Sequence, residues 1–143
     1  MAKEYRLGKI RRMVNRLIAR RVRNGKGDPD NYLLTTLGRK SGVERTTPVT
    51  IARRDGHRYL VSPYGNVGWV YNIRDSGVAE LSRGGTKEEI TVSEVDAATA
   101  APVLKQYIED VAVVRSFFDA KPSDPAEKLE AEASRHPVFR INI

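Results

Sequence analysis

Leu7, Ile10, Met13, Val14, Leu17, Ile18 and Val22 recur at intervals of 3, 3, 1, 3, 1 and 4. That spacing places apolar side chains on one face of a helix. Asn24-Gly25-Lys26-Gly27-Asp28-Pro29 is turn chemistry and should end it. Beyond it the period shortens. Tyr32–Leu37 and Thr46–Ala52 read as strands joined by a polar, glycine-containing connection, Gly38–Arg45. Asp55-Gly56 predicts a hairpin turn with Arg58–Ser62 as the return strand. Pro63–Gly68 reads as a loop, and Trp69–Asp75 as a short helix closed by Ser76-Gly77. Val78–Arg83, Gly84-Gly85 and Glu88–Val95 form a second hairpin. Asp96 suits an N-cap for a helix over Ala97–Asp110, with Pro102 an awkward residue inside it. A helical piece is expected near Val113–Ala120, a break at Pro122-Ser123-Asp124-Pro125, a polar helix over Ala126–Ser134, and a closing strand over Val138–Ile143.

These elements sum to an α+β chain with six strands, mostly antiparallel, and helices at the start, the middle and before the end. The hairpins favour a small barrel over a doubly wound sheet, and neither GxGxxG nor GxxxxGK[ST] occurs. The expected organisation is a basic amphipathic helix, residues 1–26, followed by one barrel domain, residues 27–143. A chain of 143 residues is long enough for one true core.

Charge sharpens this division. Formal net charge is +7, yet residues 1–26 hold ten cations and one anion, while the other 117 residues hold 15 cations and 17 anions. The basicity belongs to the first helix and points to an anionic partner. Cysteine is absent and only His57 and His136 represent histidine, so disulfide scaffolds, thiolate chemistry and His-rich metal sites are excluded and no metal is expected. No apolar run approaches the ~20 residues of a bilayer crossing. Met1-Ala2-Lys3-Glu4-Tyr5 lacks a signal-peptide core, and a cytoplasmic location is the expectation.

The stretch that carries chemistry is Gly38-Arg39-Lys40-Ser41-Gly42-Val43-Glu44-Arg45 between two strands. Glycines let backbone N–H groups converge on an anion, three cations supply charge, and Ser41 supplies a hydroxyl. Spacing alone admits two readings, a solvated charged hairpin or a phosphate cradle.

The order of motifs separates them. Leu33–Thr36 with Gly38-Arg39-Lys40-Ser41-Gly42, then Arg45 and Pro48, then Pro63-Tyr64-Gly65 and Gly68-Trp69-Val70-Tyr71-Asn72, resembles the deazaflavin-dependent nitroreductase family. Phe117-Phe118-Asp119-Ala120 and Arg135-His136-Pro137-Val138-Phe139 are similar to one branch of it. The resemblance implies a split β-barrel of the kind that binds FMN elsewhere. It implies coenzyme F420, a deazaflavin with a phosphate and an acidic tail, and hydride transfer to an organic acceptor: a quinone, a nitro compound, an activated alkene or a lipid-like molecule. By the same resemblance Arg39, Lys40, Ser41, Gly42 and Arg45 would hold the phosphate and tail. Thr47 and Pro48 would lie beside the cofactor. Ser62, Pro63, Tyr64 and Gly65 would line the ring, with Trp69 and Asn72 flanking it. The proton that accompanies the hydride would come from Tyr64, Tyr107 or water. FMN in the same barrel is the alternative, followed by a non-catalytic cofactor- or fatty-acid-binding barrel.

Other residues read more plainly. Trp69 is equally suited to anchoring its helix and to touching the ring. His57 fits a solvated turn, His136 a structural role, Phe117 and Phe118 a core or pocket wall, Glu88-Glu89 a solvated strand edge, and Asp96 a cap. The basic helix has three readings: Leu7, Ile10, Val14 and Leu17 packed on the barrel with cations in water, attachment to an anionic membrane surface, or arginines reaching the cofactor tail. Packing with peripheral membrane contact is the expectation. Nucleic acid is not expected as a partner, because Tyr5 is the segment's lone aromatic. A homodimer is compatible with the pattern.

Overall fold

Along each strand, alternate side chains point to opposite faces, and in β3 and β6 both faces find a core. The computed structural model describes residues 9–142. It contains α1 (Lys9–Arg23), β1 (Asn31–Leu37), β2 (Glu44–Arg54), β3 (His57–Val61), α2 (Gly68–Ser76), β4 (Val78–Arg83), β5 (Thr86–Glu94) and α3 (Ala97–Asp110). A 3-10 helix (Ala112–Phe117), α4 (Ala126–Glu132) and β6 (Val138–Asn142) complete it. The strands close into a barrel in the order β1-β2-β3-β6-β5-β4, with every pair antiparallel. β5 meets β6 only from Thr91 onward, so Glu88 and Glu89 are paired on the β4 side alone and stand exposed, the expected solvated strand edge. Glu88 there takes two Arg58 guanidinium nitrogens, at 3.0 and 2.6 Å.

Leu34, Ile51, Leu60, Leu81, Ile90, Phe139 and Ile141 fill the barrel, and α2 lays Val70 and Ile73 into the same cluster. The neighbours on the strands face the other way. Ala52, Tyr59, Val61 and Val138 form a second core with α3, the 3-10 helix and α4, built around Val103, Leu104, Tyr107, Ile108 and Phe118. Asp96 caps α3 by accepting from the Thr99 N–H at 2.8 Å, and this bond holds its carboxyl below the usual range. The helix runs through Pro102 without a break. Ala98, whose carbonyl the missing amide would have bonded, is exposed, so water can take that carbonyl instead. The expected helix near Val113–Ala120 is the tighter 3-10 form and ends at Phe117.

One expectation fails for α1. Val14 and Leu17 do not pack on the barrel: they are exposed, as are Met13 at 61% and Ile18 at the margin. Leu7 lies outside the described residues, and so does the side chain of Ile10. Among the described residues the last turn is anchored. Val22 is buried, and its carbonyl accepts from Gly84 N–H at 3.0 Å. Arg83 donates to the carbonyls of Gly25, Gly27 and Asn31. Gly84 suits this contact because a Cβ there would meet the Gly25 backbone at 3.1 Å. Among the described residues the face that carries Met13, Val14 and Leu17 is left uncovered.

The barrel wall parts along β2. β2 pairs with β1 from Glu44 to Thr50 but with β3 only from Ile51 to Arg54. Pro48 explains how the gap is tolerated. Ile51 N–H donates to Asp30 carbonyl at 2.8 Å, so that pair is hydrogen-bonded, and alternation makes Pro48 opposite Leu33 a non-hydrogen-bonded pair. The amide that proline lacks would have pointed away from β1, into the gap, so no ladder bond is lost.

These packing differences set a stability contrast. Leu60→Ala should cost about 2–5 kcal/mol, a large-to-small change in a closed core. Leu17→Ala should stay within about 0.5 kcal/mol. Urea unfolding followed by circular dichroism measures both, and a comparable loss for Leu17→Ala would contradict the exposed α1 face.

Candidate functional site

The gap between β2 and β3 opens into a cleft of about 650 Å³, within the ~300–1,000 Å³ usual for small-molecule sites. One side is the unpaired edge of β2 from Arg45 to Thr50. Pairing parity turns the N–H groups of Thr46 and Thr50 toward this open side, together with the carbonyls of Thr46, Pro48 and Thr50. Val61, Pro63 and Tyr64 form a second wall, and Val67, Gly68 and Trp69 at the start of α2 a third. Tyr107, Asp110, Val111 and Val114 close the far side, while the exposed Val113 and, from α1, Asn15 and Ile18 stand at the mouth.

Charge is graded along β2. Arg45 stands at one end, next to the turn that carries Arg39 and Lys40. Five residues on, about 17 Å at strand rise, Thr50 faces Asn31. Asp28, whose carbonyl accepts from the Asn31 N–H, stands at this second end, and Asp110, one turn past Tyr107, also lines the cleft. The N-terminus of α2 adds to the attraction. Val67 gives it no side-chain cap, so its first N–H groups and the positive end of its dipole are available to an anion.

The polar groups at the Thr50 end are tied together. Thr50 Oγ1 donates to Asn31 Oδ1 at 2.9 Å, and the buried Tyr107 hydroxyl bonds the Thr50 side chain. Because the Thr50 proton is committed to Asn31, Tyr107 is the donor in that pair. Burial, then the nearby Tyr64, pushes the Tyr107 phenol well above its ordinary value, so it stays protonated. Tyr64 stands across the cleft with its ring edge-on to Phe117 at 5.1 Å. Trp69 leans on Phe139 at 6.0 Å and also lines the cleft, so it serves core and site together.

Of the residues singled out in the sequence, Arg45, Thr47, Pro48, Pro63, Tyr64, Trp69 and Tyr107 meet on the cleft. Arg39, Lys40, Ser41 and Gly42 lie in the adjoining turn rather than on the lining. There Ser41 Oγ accepts from Val43 N–H at 3.2 Å, and the Arg39 guanidinium lies over the Tyr71 ring at 5.1 Å. Asn72 is buried behind them: its Nδ2 donates to Thr36 Oγ1 at 3.0 Å and its Oδ1 accepts from Arg39 N–H at 3.3 Å. It braces the turn against α2. Ser62 is also buried and donates its hydroxyl to the Gly65 carbonyl. Gly65, at φ +90°, lets the loop pass the Arg135 carbonyl, which a Cβ would meet at 3.4 Å. Sequence reasoning missed Thr50 and Asn31, although a period of two from Pro48 leads to Thr50. It also missed Asn15, Ile18, Val67 and Val113, which chain order does not signal.

A six-stranded barrel, parted along one strand and opening there into a charge-graded cleft, has the architecture of the flavin-type split barrels. Solved structures with this fold include an F420-H2 dependent reductase, FDR-A. It is 20% identical, covers 81% of this chain and 96% of its own, and has a TM-score of 0.55. A chain described as a domain-swapped dimer is 20% identical over 93% of this chain and 96% of its own, at 0.57. An FAD-binding protein from Mesorhizobium loti is 14% identical over 89% and 88%, at 0.50. These likenesses show the fold. No curated protein matches the sequence. Residues 8–117 match the F420H(2)-dependent quinone reductase family, and the chain belongs to it. It is an oxidoreductase that uses coenzyme F420 and acts on a small-molecule acceptor, so the FMN alternative and the non-catalytic alternative fall away. Among the described residues no helix is long and apolar enough to cross a membrane.

The brace behind the cationic turn can be tested directly. Asn72→Ala leaves the buried Thr36 hydroxyl without this donor and should cost about 1–3 kcal/mol. Amide exchange in Gly38–Val43 should rise with it. A variant with unchanged exchange in that turn would show that α2 does not hold it.

Proposed function

We propose that the cleft along the β2 edge holds the deazaflavin ring, with the coenzyme's anionic end drawn toward Arg45 and the Arg39–Gly42 turn. The observation that carries this reading is the charge gradient along one unpaired strand: cations at one end, the Asp28 carboxylate toward the other. The residues fit the group. Thr47 and Pro48 lie beside the ring on the β2 wall, Pro63 and Tyr64 face it, and Trp69 offers a flat apolar surface. Arg39, Lys40, Ser41 and Arg45 supply charge and hydroxyl for phosphate, arginine by paired donors. Ser62, Gly65 and Asn72 act from behind, by shaping the loop and the turn. Bound reduced deazaflavin supplies the hydride. The chain's part is to orient, exclude water and deliver a proton. Tyr64 and Tyr107 are the phenols on the cleft that would pass on that proton; burial keeps Tyr107 protonated but also makes it a weak acid.

The acceptor that fits this cleft is a flat, largely apolar quinone. Ile18 and Val113 stand at its mouth, and both are exposed, Val113 at 70%. Ile18 joins the mouth to the uncovered α1 stripe of Met13, Val14 and Leu17, which Arg12, Arg16, Arg20 and Arg23 flank. We assign this stripe to peripheral contact with an anionic membrane surface, from which a lipid-like acceptor would enter. Cationic amphipathic helices bind there by apolar insertion and charge together. Residues 1–26 thus act as the attachment element and residues 27–143 as the cofactor-binding barrel.

Two measurements test these assignments. Arg45→Ala, and Arg39→Ala with Lys40→Ala, should each weaken F420 binding at least about tenfold, since a charged contact is worth about 1.5–3 kcal/mol. Titration followed by fluorescence of Trp69, the single tryptophan, reads this, and unchanged affinity in folded variants would remove the cationic end from the site. For the helix, co-sedimentation with phosphatidylglycerol vesicles should exceed that with phosphatidylcholine vesicles and be lost in Met13→Glu with Leu17→Glu. Equal binding to both vesicles, or a stable dimer that needs this face, would replace the membrane assignment.

A further inference from the structure

Behind the Tyr64 loop lies a buried polar cluster that hydride chemistry does not require. Glu132 of α4 is 1% exposed and His136 is 5% exposed. Glu132 Oε2 accepts from Asp119 N–H at 3.1 Å. Arg135 reaches both Glu132 Oε1 and Asp119 Oδ2, the latter at 2.7 Å. His136 stacks on Phe118 with ring centroids 4.0 Å apart, and its Nε2 faces Glu132 Oε2 at 4.0 Å. Its Nδ1 stands 3.2 Å from the Ser62 carbonyl, with the carbonyls of Pro63 and Phe117 also against the ring.

The place of this imidazole in the chain gives it meaning. β3 and β6 pair up to Val61 opposite Val138. One step further, Ser62 N–H still donates to the Pro137 carbonyl at 3.0 Å. The Ser62 carbonyl then turns to the His136 side chain, so the imidazole continues the ladder where the backbone leaves it. Burial lowers the His136 pKa, and the ring is neutral. Proximity to Ser62 puts its one N–H on Nδ1. The same ring touches the segment of Phe117, on which Tyr64 rests. An apolar side chain here would leave the Ser62 carbonyl with the long 3.5 Å bond from the Gly65 N–H alone.

We propose that His136 is a positioning residue for the coenzyme's ring: it pins the Ser62–Gly65 loop and the Phe117 segment at one point and so sets where Pro63 and Tyr64 stand on the cleft. The inference rests on the reading above that the ring lies along that wall. Glu132, itself held by Arg135 and the Asp119 N–H, faces the other ring nitrogen at 4.0 Å. The anionic end of the coenzyme is gripped elsewhere, so losing the pin misplaces the ring without releasing the coenzyme.

The test uses the full chain with F420 and a quinone acceptor. In His136→Leu the exchange of amides 64–67 should rise. The kcat should fall about tenfold or more, as for a small misplacement of reacting groups, while F420 affinity by Trp69 fluorescence changes less than about threefold. His136→Asn places an amide nitrogen near the Nδ1 position and should restore loop protection and most of kcat. His136→Gln, which reaches toward the Nε2 position, should not. If His136→Leu does not fold, the Asn and Gln pair decides. Equal behaviour of Asn and Gln, or wild-type loop exchange and kcat in folded His136→Leu, overturns the proposal. A wild-type protein whose Trp69 fluorescence ignores F420 would overturn the ring placement itself, and this inference with it. A normal wild-type response with unaffected variants overturns the inference alone.

Discussion

The parting of β2 from β3 is the constraint on which this molecule turns. A closed barrel satisfies its backbone by pairing every strand on both sides, and here pairing is withheld along Glu44–Thr50. Pro48 fits that stretch because its missing amide points into the gap. The result is a strand edge that is neither paired nor simply open to water. It is walled by the Pro63–Tyr64 loop, the start of α2 and the end of α3, so its backbone groups are available to a bound ring.

The two cores give this gap its rigidity. The barrel interior holds Leu60 and Phe139, and the outer cluster holds Tyr59, Val61 and Val138 from the same strands. Because adjacent residues serve different cores, β3 and β6 cannot slip in register without exchanging both. The cleft walls grow from the ends of these fixed strands. Polar side chains then finish what the ladders leave: Asn72 ties the cationic turn to α2, and His136 takes over from the β3–β6 ladder at Ser62.

Affiliation with the F420H(2)-dependent quinone reductases accounts for the division of labour. The coenzyme brings the redox chemistry, so the chain needs no nucleophile. Among the described residues no group of three or more His, Asp or Glu side chains could hold a metal ion. What we propose it supplies is direction: cations at one end of a strand, the Asp28 carboxylate toward the other, and between them flat apolar surfaces and a phenol kept neutral by burial.

Much of this was legible in the chain. Strand alternation, the Asp55-Gly56 and Gly84-Gly85 turns and the Asp96 cap are local, set by dihedral preference and short-range hydrogen bonds, so they can be read residue by residue. The cationic turn and the Pro63-Tyr64 and Trp69 motifs were legible as an ordered series. The fate of α1 was not. Its periodicity announced an apolar face, but whether a face is covered depends on what stands opposite, and only the anchoring of Val22 and Gly25 at the β4–β5 hairpin shows that Val14 and Leu17 are left bare. The meeting of Thr50 with Asn31 and Tyr107 was likewise invisible, since these partners lie 19 and 57 residues from it along the chain. Local pattern determined which elements form; long-range pairing decided where the wall opens, because a gap between strands is a property of two segments and belongs to neither alone.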